Sequence, residues 1–226
     1  MLPKYHDIHI SAYRLSLTTI KLFEGLGFQR DPFANNTRCS CTVYHGTFRG
    51  DAALPSETLW SAIAEAVALD EAFVGTVEQE SFDDVAVRFI RPRSGPVPLT
   101  LPCALRTRQP RPGEYKECDI HINVACATTS SETLASIEGL GLASFDKPGV
   151  DGVHRIFSIT CDEFHAAKTF FECLVMYLDN LPDLSAKLKL ERTDKYLRIP
   201  ADAPCLPMSS CQDLAEWTAT LRASCP

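Results

Sequence analysis

Asp7-Ile8-His9-Ile10, close to the start of the chain, returns 112 residues later as Asp119-Ile120-His121-Ile122. Glu24-Gly25-Leu26-Gly27 returns 114 residues later as Glu138-Gly139-Leu140-Gly141. Two identical tetrapeptides in the same order, at nearly one offset, mark an internal duplication. Two long copies do not make a solenoid, which needs several short ones. They indicate a fused pair of similar domains.

Outward from these tetrapeptides, each copy shows the same order of patterns. Copy one opens with an alternating strand over 6–13, followed by a helix over 15–25 with Leu17, Ile20, Leu22, Phe23 and Leu26 on its apolar side. Gly25 and Gly27 end that helix. A short strand is expected at 28–33 and a strand rich in strand formers at 38–48. A helix follows over 56–68, then strands at 72–80 and 84–90. Copy two repeats the series. Strands are expected at 117–126 and 153–161, with a helix at 131–140 capped by Ser130 or Ser131. A long helix over 162–180 is capped by Asp162, and the last strand lies at 186–192, with 195–199 extending it or forming a further short strand. The order β-α-β-β-α-β is that of the ferredoxin-like unit. The expected fold is therefore α+β: two tandem ferredoxin-like units from the duplication, with their open sheet faces paired. The expected boundaries are 1–90 for copy one and 115–200 for copy two. Residues 91–114, with prolines and arginines throughout, read as an extended linker. Residues 201–226 form a tail with a short helix over 210–222.

Composition narrows the function. Lys plus Arg is 22 against 29 Asp plus Glu, a net charge of -7, which argues against a nucleic-acid partner. No run of 18 apolar residues exists, so no membrane-spanning helix is expected. The N-terminus lacks the apolar core of a signal peptide, and a cytoplasmic location is expected. The 10 cysteines show neither Cys-x-x-Cys nor zinc-finger spacing, and several fall inside elements. They read as unpaired thiols, Cys39 and Cys41 in one strand among them. No phosphate-binding or dinucleotide-binding glycine loop occurs, so no nucleotide cofactor is expected.

Strand alternation sorts the polar side chains. Ile8 and Ile10 face the helices, leaving Asp7, His9 and Ser11 on the opposite face. Ile120, Ile122 and Val124 leave Asp119, His121 and Asn123 there. In the last strands Thr76, Glu78 and Glu80 share one face, as do Lys187, Lys189 and Glu191. The last strand of each copy neighbours the first, so His9–Glu78 and His121–Glu191 are the expected cross-strand pairs. Glu78 and Glu80 share a face, and alternation leaves open which points inward. His45 and His154 stand near the same level on the third strands. Paired faces would enclose these groups in a cleft suited to a small polar metabolite. The catalytic candidates are His9, His121, Glu78, Glu191, Lys189, His45 and His154. The substrate-binding candidates are Ser11, Asn123, Asp7 and Asp119.

The stretch His6–Phe28, repeated over 117–142, resembles the opening of a vicinal-oxygen-chelate (glyoxalase-type) module. That resemblance implies a divalent metal on His9, Glu78, His121 and Glu191. Imidazole with carboxylate suits Zn, Fe, Mn or Ni. It implies lyase or isomerase chemistry. The module it resembles is βαβββ, whereas each copy here has a second helix before its last strand. His9-Ile10-Ser11 also resembles one motif of the two-histidine phosphoesterases, which need no metal; His121-Ile122-Asn123 replaces the hydroxyl with an amide. That alternative makes His9 and His121 the acid and base of phosphodiester hydrolysis. A third reading is a non-catalytic ligand-binding or interaction module. A homodimer is compatible with each.

Overall fold

The computed structural model describes residues 5–31, 42–49, 56–82, 87–92, 107–108, 118–201, 210–211 and 214–224. Cys39, Cys41 and most of the 91–114 segment, Arg106 and Arg111 included, lie outside these residues. In chain order the elements are β1 (Tyr5–Arg14), α1 (Leu17–Gly25), β2 (Gln29–Asp31), β3 (Thr42–Arg49), α2 (Ser56–Leu69), β4 (Val74–Phe82), β5 (Val87–Ile90) and β6 (Thr107–Arg108). They continue with β7 (Cys118–Ala125), α3 (Ser131–Glu138), β8 (Ala143–Gly149), β9 (Gly152–Cys161), α4 (Phe164–Asp179), β10 (Ala186–Ile199), β11 (Ser210–Cys211) and α5 (Leu214–Ser224). None of the described helices is long and apolar enough to cross a membrane.

The chain divides into two compact units. Unit 1 is Met1–Asp84, Pro110–Tyr115 and Arg192–Pro207; unit 2 is Val85–Gln109, Lys116–Glu191 and Met208–Pro226. In unit 1 the strands run β2-β3-β1-β4, followed by the Arg192–Ile199 part of β10, and every pairing is antiparallel. In unit 2 the first part of β10 is followed by β7, β9, β11 and β6, with β5 also on β10 and β8 on β9. In unit 2, β10–β5, β11–β6, β7–β9 and β8–β9 are antiparallel, and β11 runs parallel to β9.

This corrects the expected fold. The chain does not form two ferredoxin-like βαββαβ units with open sheet faces. It is a mostly antiparallel β structure with five described helices, and neither unit is one continuous stretch. The physical cause is β10. At 14 residues it is well beyond ordinary strand length. It is long enough, at about 45 Å, to give one half to each unit. The non-helical faces are not open polar surfaces either: Asp7, Ser11, Thr76 and Glu80 in unit 1, and Asp119, Thr160 and Glu191 in unit 2, are buried.

Each unit has its own apolar core. In unit 1, Ile8 and Ile10 of β1, Val77 of β4 and Tyr44 of β3 pack with Phe23 of α1 and with Leu59, Ile63 and Val67 of α2. Positions 59, 63 and 67 recur every four residues and so form one helix stripe. In unit 2, Ile120, Ile122, Phe157 and Ile159 pack with Phe170, Leu174 and Tyr177 of α4 and with Trp217 and Leu221 of α5. The repeated Glu-Gly-Leu-Gly has a backbone reason: Gly27 has φ 88° and Gly141 φ 75°, the left-handed turn that releases the chain after each helix. Asp162 does not cap α4; the N-cap is Glu163, with no side-chain cap bond.

Ser130, one of the two expected caps, is the N-cap of α3, and the duplication repeats a device around it in unit 1. The Ser16 hydroxyl accepts from the Thr19 N–H at 3.3 Å, and Ser130 does the same for Thr133 at 3.2 Å. In unit 1 the Ser16 N–H and the Thr19 hydroxyl donate to Asp70 at 2.8 and 2.7 Å. In unit 2 the Ser130 N–H donates to Asp183 at 2.6 Å, and the Thr133 hydroxyl donates to the same carboxylate. Burial pushes both carboxyls up, but these donors outweigh it and hold both below the usual carboxylate range. A lowered folded pKa stabilises above the unfolded value of about 3.9, and that contribution is lost as pH falls through the folded value. Asp183→Ala is therefore expected to cost about 2 kcal/mol at pH 7. The gap to wild type should shrink in urea unfolding at pH 3. An undiminished gap at pH 3 would remove the carboxylate's charge from the explanation.

Candidate metal centre

Cross-strand partners share a face of a sheet, so the registers of unit 1 define rows of side chains. His45, His9, Glu78 and Tyr196 form one row across β3, β1, β4 and β10. Ser11, Thr76 and Arg198 form the next row across β1, β4 and β10. Thr47, Asp7 and Glu80 lie on the other side of the first row. The alternate residues Ile8, Ile10, Val77, Leu197 and Ile199 belong to the helix-side core, which fixes the orientation of all three rows.

Asp7, His9 and His45 meet on this face. Their ligand atoms lie within 4.8 Å of one another. The two imidazole rings are 4.7 Å apart between centroids. His45 Nε2 is 3.8 Å from Asp7 Oδ2, and the Thr47 hydroxyl is 3.5 Å from the same nitrogen. His9 Nε2 is 3.4 Å from Glu80 Oε2. Asp7 and Glu80 are buried, whereas the two histidines keep about a quarter to a third of their side-chain surface exposed. The group thus combines buried carboxylates with imidazole rings that are partly exposed, although the His9 Nε2 atom itself is buried.

Sequence reading left the choice between Glu78 and Glu80 open. Glu80 is the fully buried one and approaches His9 diagonally; Glu78 is half-buried and stands directly opposite His9. Tyr196 and Arg198 were not singled out. Their signal was the strand extension at 195–199, whose alternation turns them away from Leu197 and Ile199. The Arg198 guanidinium donates to the Tyr196 hydroxyl through Nε at 2.9 Å and Nη2 at 2.7 Å.

In unit 2, His121 Nε2 lies 3.6 Å from Asp119 Oδ2 and 3.6 Å from Glu191 Oε2. Lys189 Nζ is 2.7 Å from Glu191 Oε1. The residue opposite His121 on β9 is Ser158, where His9 of unit 1 faces His45. His154 stands opposite Ala125 instead. There its ring contacts Asn123 Oδ1 at 2.8 Å and Asp151 Oδ1 at 2.7 Å. The bond with His154 holds the Asp151 carboxyl below the usual range. His154 therefore belongs to the β8–β9 turn rather than to the His121 group.

Two groups of His, Asp and Glu side chains could hold a metal ion, one made by Asp7, His9 and His45 and one that includes Asp119 and His121. The first fits such an ion by its donor set, two imidazoles and a carboxylate, which suits Zn, Fe, Mn or Ni. Donors around a bound ion stand about 3–4 Å apart, so small side-chain rotations close the present spacing. The cysteines at 118, 126, 161 and 173 are free thiols. Burial pushes the Cys126 thiol up, away from the thiolate that a metal requires. No protein-family model, curated protein or solved structure matches the chain.

Proposed function

We propose that this protein is a divalent-metal-dependent enzyme acting on a small polar metabolite, with lyase or isomerase chemistry at the Asp7, His9 and His45 group. The observation that carries the reading is the convergence of those three ligand atoms within 4.8 Å. The electrostatics agree. The three rows bring the carboxylates of Asp7, Glu78 and Glu80 together with one guanidinium, an excess of negative charge that favours a cation.

A divalent ion held there would act as a Lewis acid on a carbonyl or hydroxyl oxygen. Glu80, against His9, orients the imidazole. Glu78, directly across from His9, is placed to take a proton from the carbon α to a carbonyl polarised in this way. In an elimination it keeps that proton while the β-substituent leaves with its bonding electrons; in the isomerisation of a hydroxycarbonyl it returns the proton to the former carbonyl carbon as the hydroxyl proton passes to the former carbonyl oxygen.

The test is elemental analysis of the full chain after reconstitution with Zn, Mn, Fe or Ni and exhaustive dialysis. About one equivalent is expected from a three-ligand site of this kind. His9→Ala and His45→Ala should lose it, and His121→Ala should keep it. A wild type that retains no metal would sink the reading and leave metal-free phosphodiester hydrolysis to be tried. Metal lost only in His121→Ala would move the centre to the other group.

A further inference from the structure

We infer that Lys189 is the built-in cation of unit 2: its ammonium holds the carboxylate that a divalent ion would need, so the His121 group keeps the plan of the unit 1 centre without taking metal. This rests on the proposed metal reading of the Asp7, His9 and His45 group. The duplication pairs the residues of the two groups. Asp7 and His9 correspond to Asp119 and His121, 112 residues on. Asp70 and Asp183, 113 residues apart, each accept from a serine N–H and a threonine hydroxyl at the start of the first helix of their unit. The same offset carried forward sets Val77 against Leu190, and both lie in their cores. It then sets Glu78 against Glu191 and Thr76 against Lys189.

Two exchanges separate the groups. His45 stands opposite His9, whereas Ser158 stands opposite His121, so an imidazole has given way to a hydroxyl. Thr76 is neutral, whereas its counterpart Lys189 carries an ammonium, and β4 contains neither lysine nor arginine. The first exchange removes a nitrogen donor. The second adds a positive charge where a metal would otherwise supply one.

The geometry shows what that charge does. Lys189 Nζ is 2.7 Å from Glu191 Oε1, while Oε2 of the same carboxylate is 3.6 Å from His121 Nε2. Each oxygen therefore already has a nitrogen beside it. An ion bound to Glu191 would share one carboxylate with the ammonium, and the two cations would repel across a few ångströms. Glu191 is buried and Lys189 largely so, which leaves little screening. Lys189 lies two residues from Glu191 on the same strand, and alternation puts both on one face. The tether keeps the ammonium at the carboxylate whatever the ion concentration outside. In unit 1 the guanidinium of Arg198, opposite Thr76, instead gives two of its nitrogens to the Tyr196 hydroxyl.

Replacing the two exchanged residues by their unit 1 counterparts is the test. The full chain carrying Lys189→Thr and Ser158→His is loaded with Zn, dialysed exhaustively and assayed for metal beside wild type. Wild type should retain about one equivalent and the double variant about two, the second lost when His121→Ala is added. Ser158→His alone should stay at one, because the ammonium remains. Thermal melting checks folding; if the double variant does not fold, Lys189→Gln with Ser158→His replaces it, since the amide still donates to Glu191, and the same counts are expected. A folded variant that stays at one equivalent, or Ser158→His alone reaching two, would overturn the role of Lys189 and leave the unit 1 centre standing. Two equivalents in wild type, one of them lost in His121→Ala, would overturn it as well. If wild type retains none, the metal reading falls and the double variant decides separately. One equivalent that depends on His121 would then keep the role of Lys189, and none would overturn both.

Discussion

Gly75→Ala is expected to cost about 3 kcal/mol or more, or to prevent unit 1 from folding. A Cβ at this position would stand 2.1 Å from the Ser11 carbonyl oxygen and 3.0 Å from the Ala12 Cα. Both atoms are backbone of the paired strand, so no side chain can turn aside. The closeness has a cause. Gly75 opposes Ala12 at the last regular pair before the β1–β4 register shifts. Glycine in a strand commonly marks such a bulge or close approach. Separating the strands here would also disturb Ser11 and Thr76, and with them the row that carries His9 and Glu78. Gly25→Ala is the control. It is the last residue of α1, with nothing within 4 Å of an added Cβ, and it should be neutral or slightly stabilising. Urea unfolding of both variants checks the pair; a Gly75→Ala midpoint equal to wild type would refute the close approach.

Glu191→Ala is expected to destabilise unit 2 by about 3–5 kcal/mol, since removing one member of a buried ion pair strands the other. Glu191 is buried, with Lys189 Nζ at 2.7 Å and His121 Nε2 at 3.6 Å. Lys189 keeps only 17% of its side-chain surface exposed, so water compensates its ammonium poorly. The melting temperature should fall by roughly 10 °C for a chain of this size. Glu191→Gln should fall less, because it retains an acceptor for the lysine. A melting temperature unchanged in both would mean that the carboxylate contributes nothing to the fold. Metal content of the same variants reports separately, since the proposed centre lies in unit 1.

Much of the secondary structure was legible because it is written in local periodicity. The helix expected at 56–68 is Ser56–Leu69, and the one at 162–180 is Phe164–Asp179. The alternation in Asp7-Ile8-His9-Ile10 correctly sends Ile8 and Ile10 to the core, because a two-residue period needs no knowledge of partners. β8 was missed: Ala143–Gly149 contains Asp146, Lys147 and Pro148, a composition tolerated in a strand that, among the described residues, pairs with β9 alone. The fold class failed for a non-local reason. The strand at 186–192 and its extension at 195–199 were legible, but nothing nearby says that the extension belongs to a second unit. The same applies to the site. Asp7, His9 and His45 were each visible as candidates, but which carboxylate approaches His9 depends on a diagonal across β4. Tyr196 joins the His9 row, and Arg198 the Ser11 row, only through a bulge.

The double duty of β10 bears on how this gene tolerates being cut. A fragment carrying only the first copy would end before Arg192–Ile199, which lines the flank of β4 in unit 1. It would expose a raw ladder of unpaired amides and carbonyls on that strand, the kind of border on which chains aggregate. It would also lack Tyr196 and Arg198, which stand opposite Glu78 and Thr76 in the rows of unit 1. The repeated sequence therefore does not provide a spare. The first copy is an incomplete part, and a truncation that looks modular on paper removes a strand from unit 1.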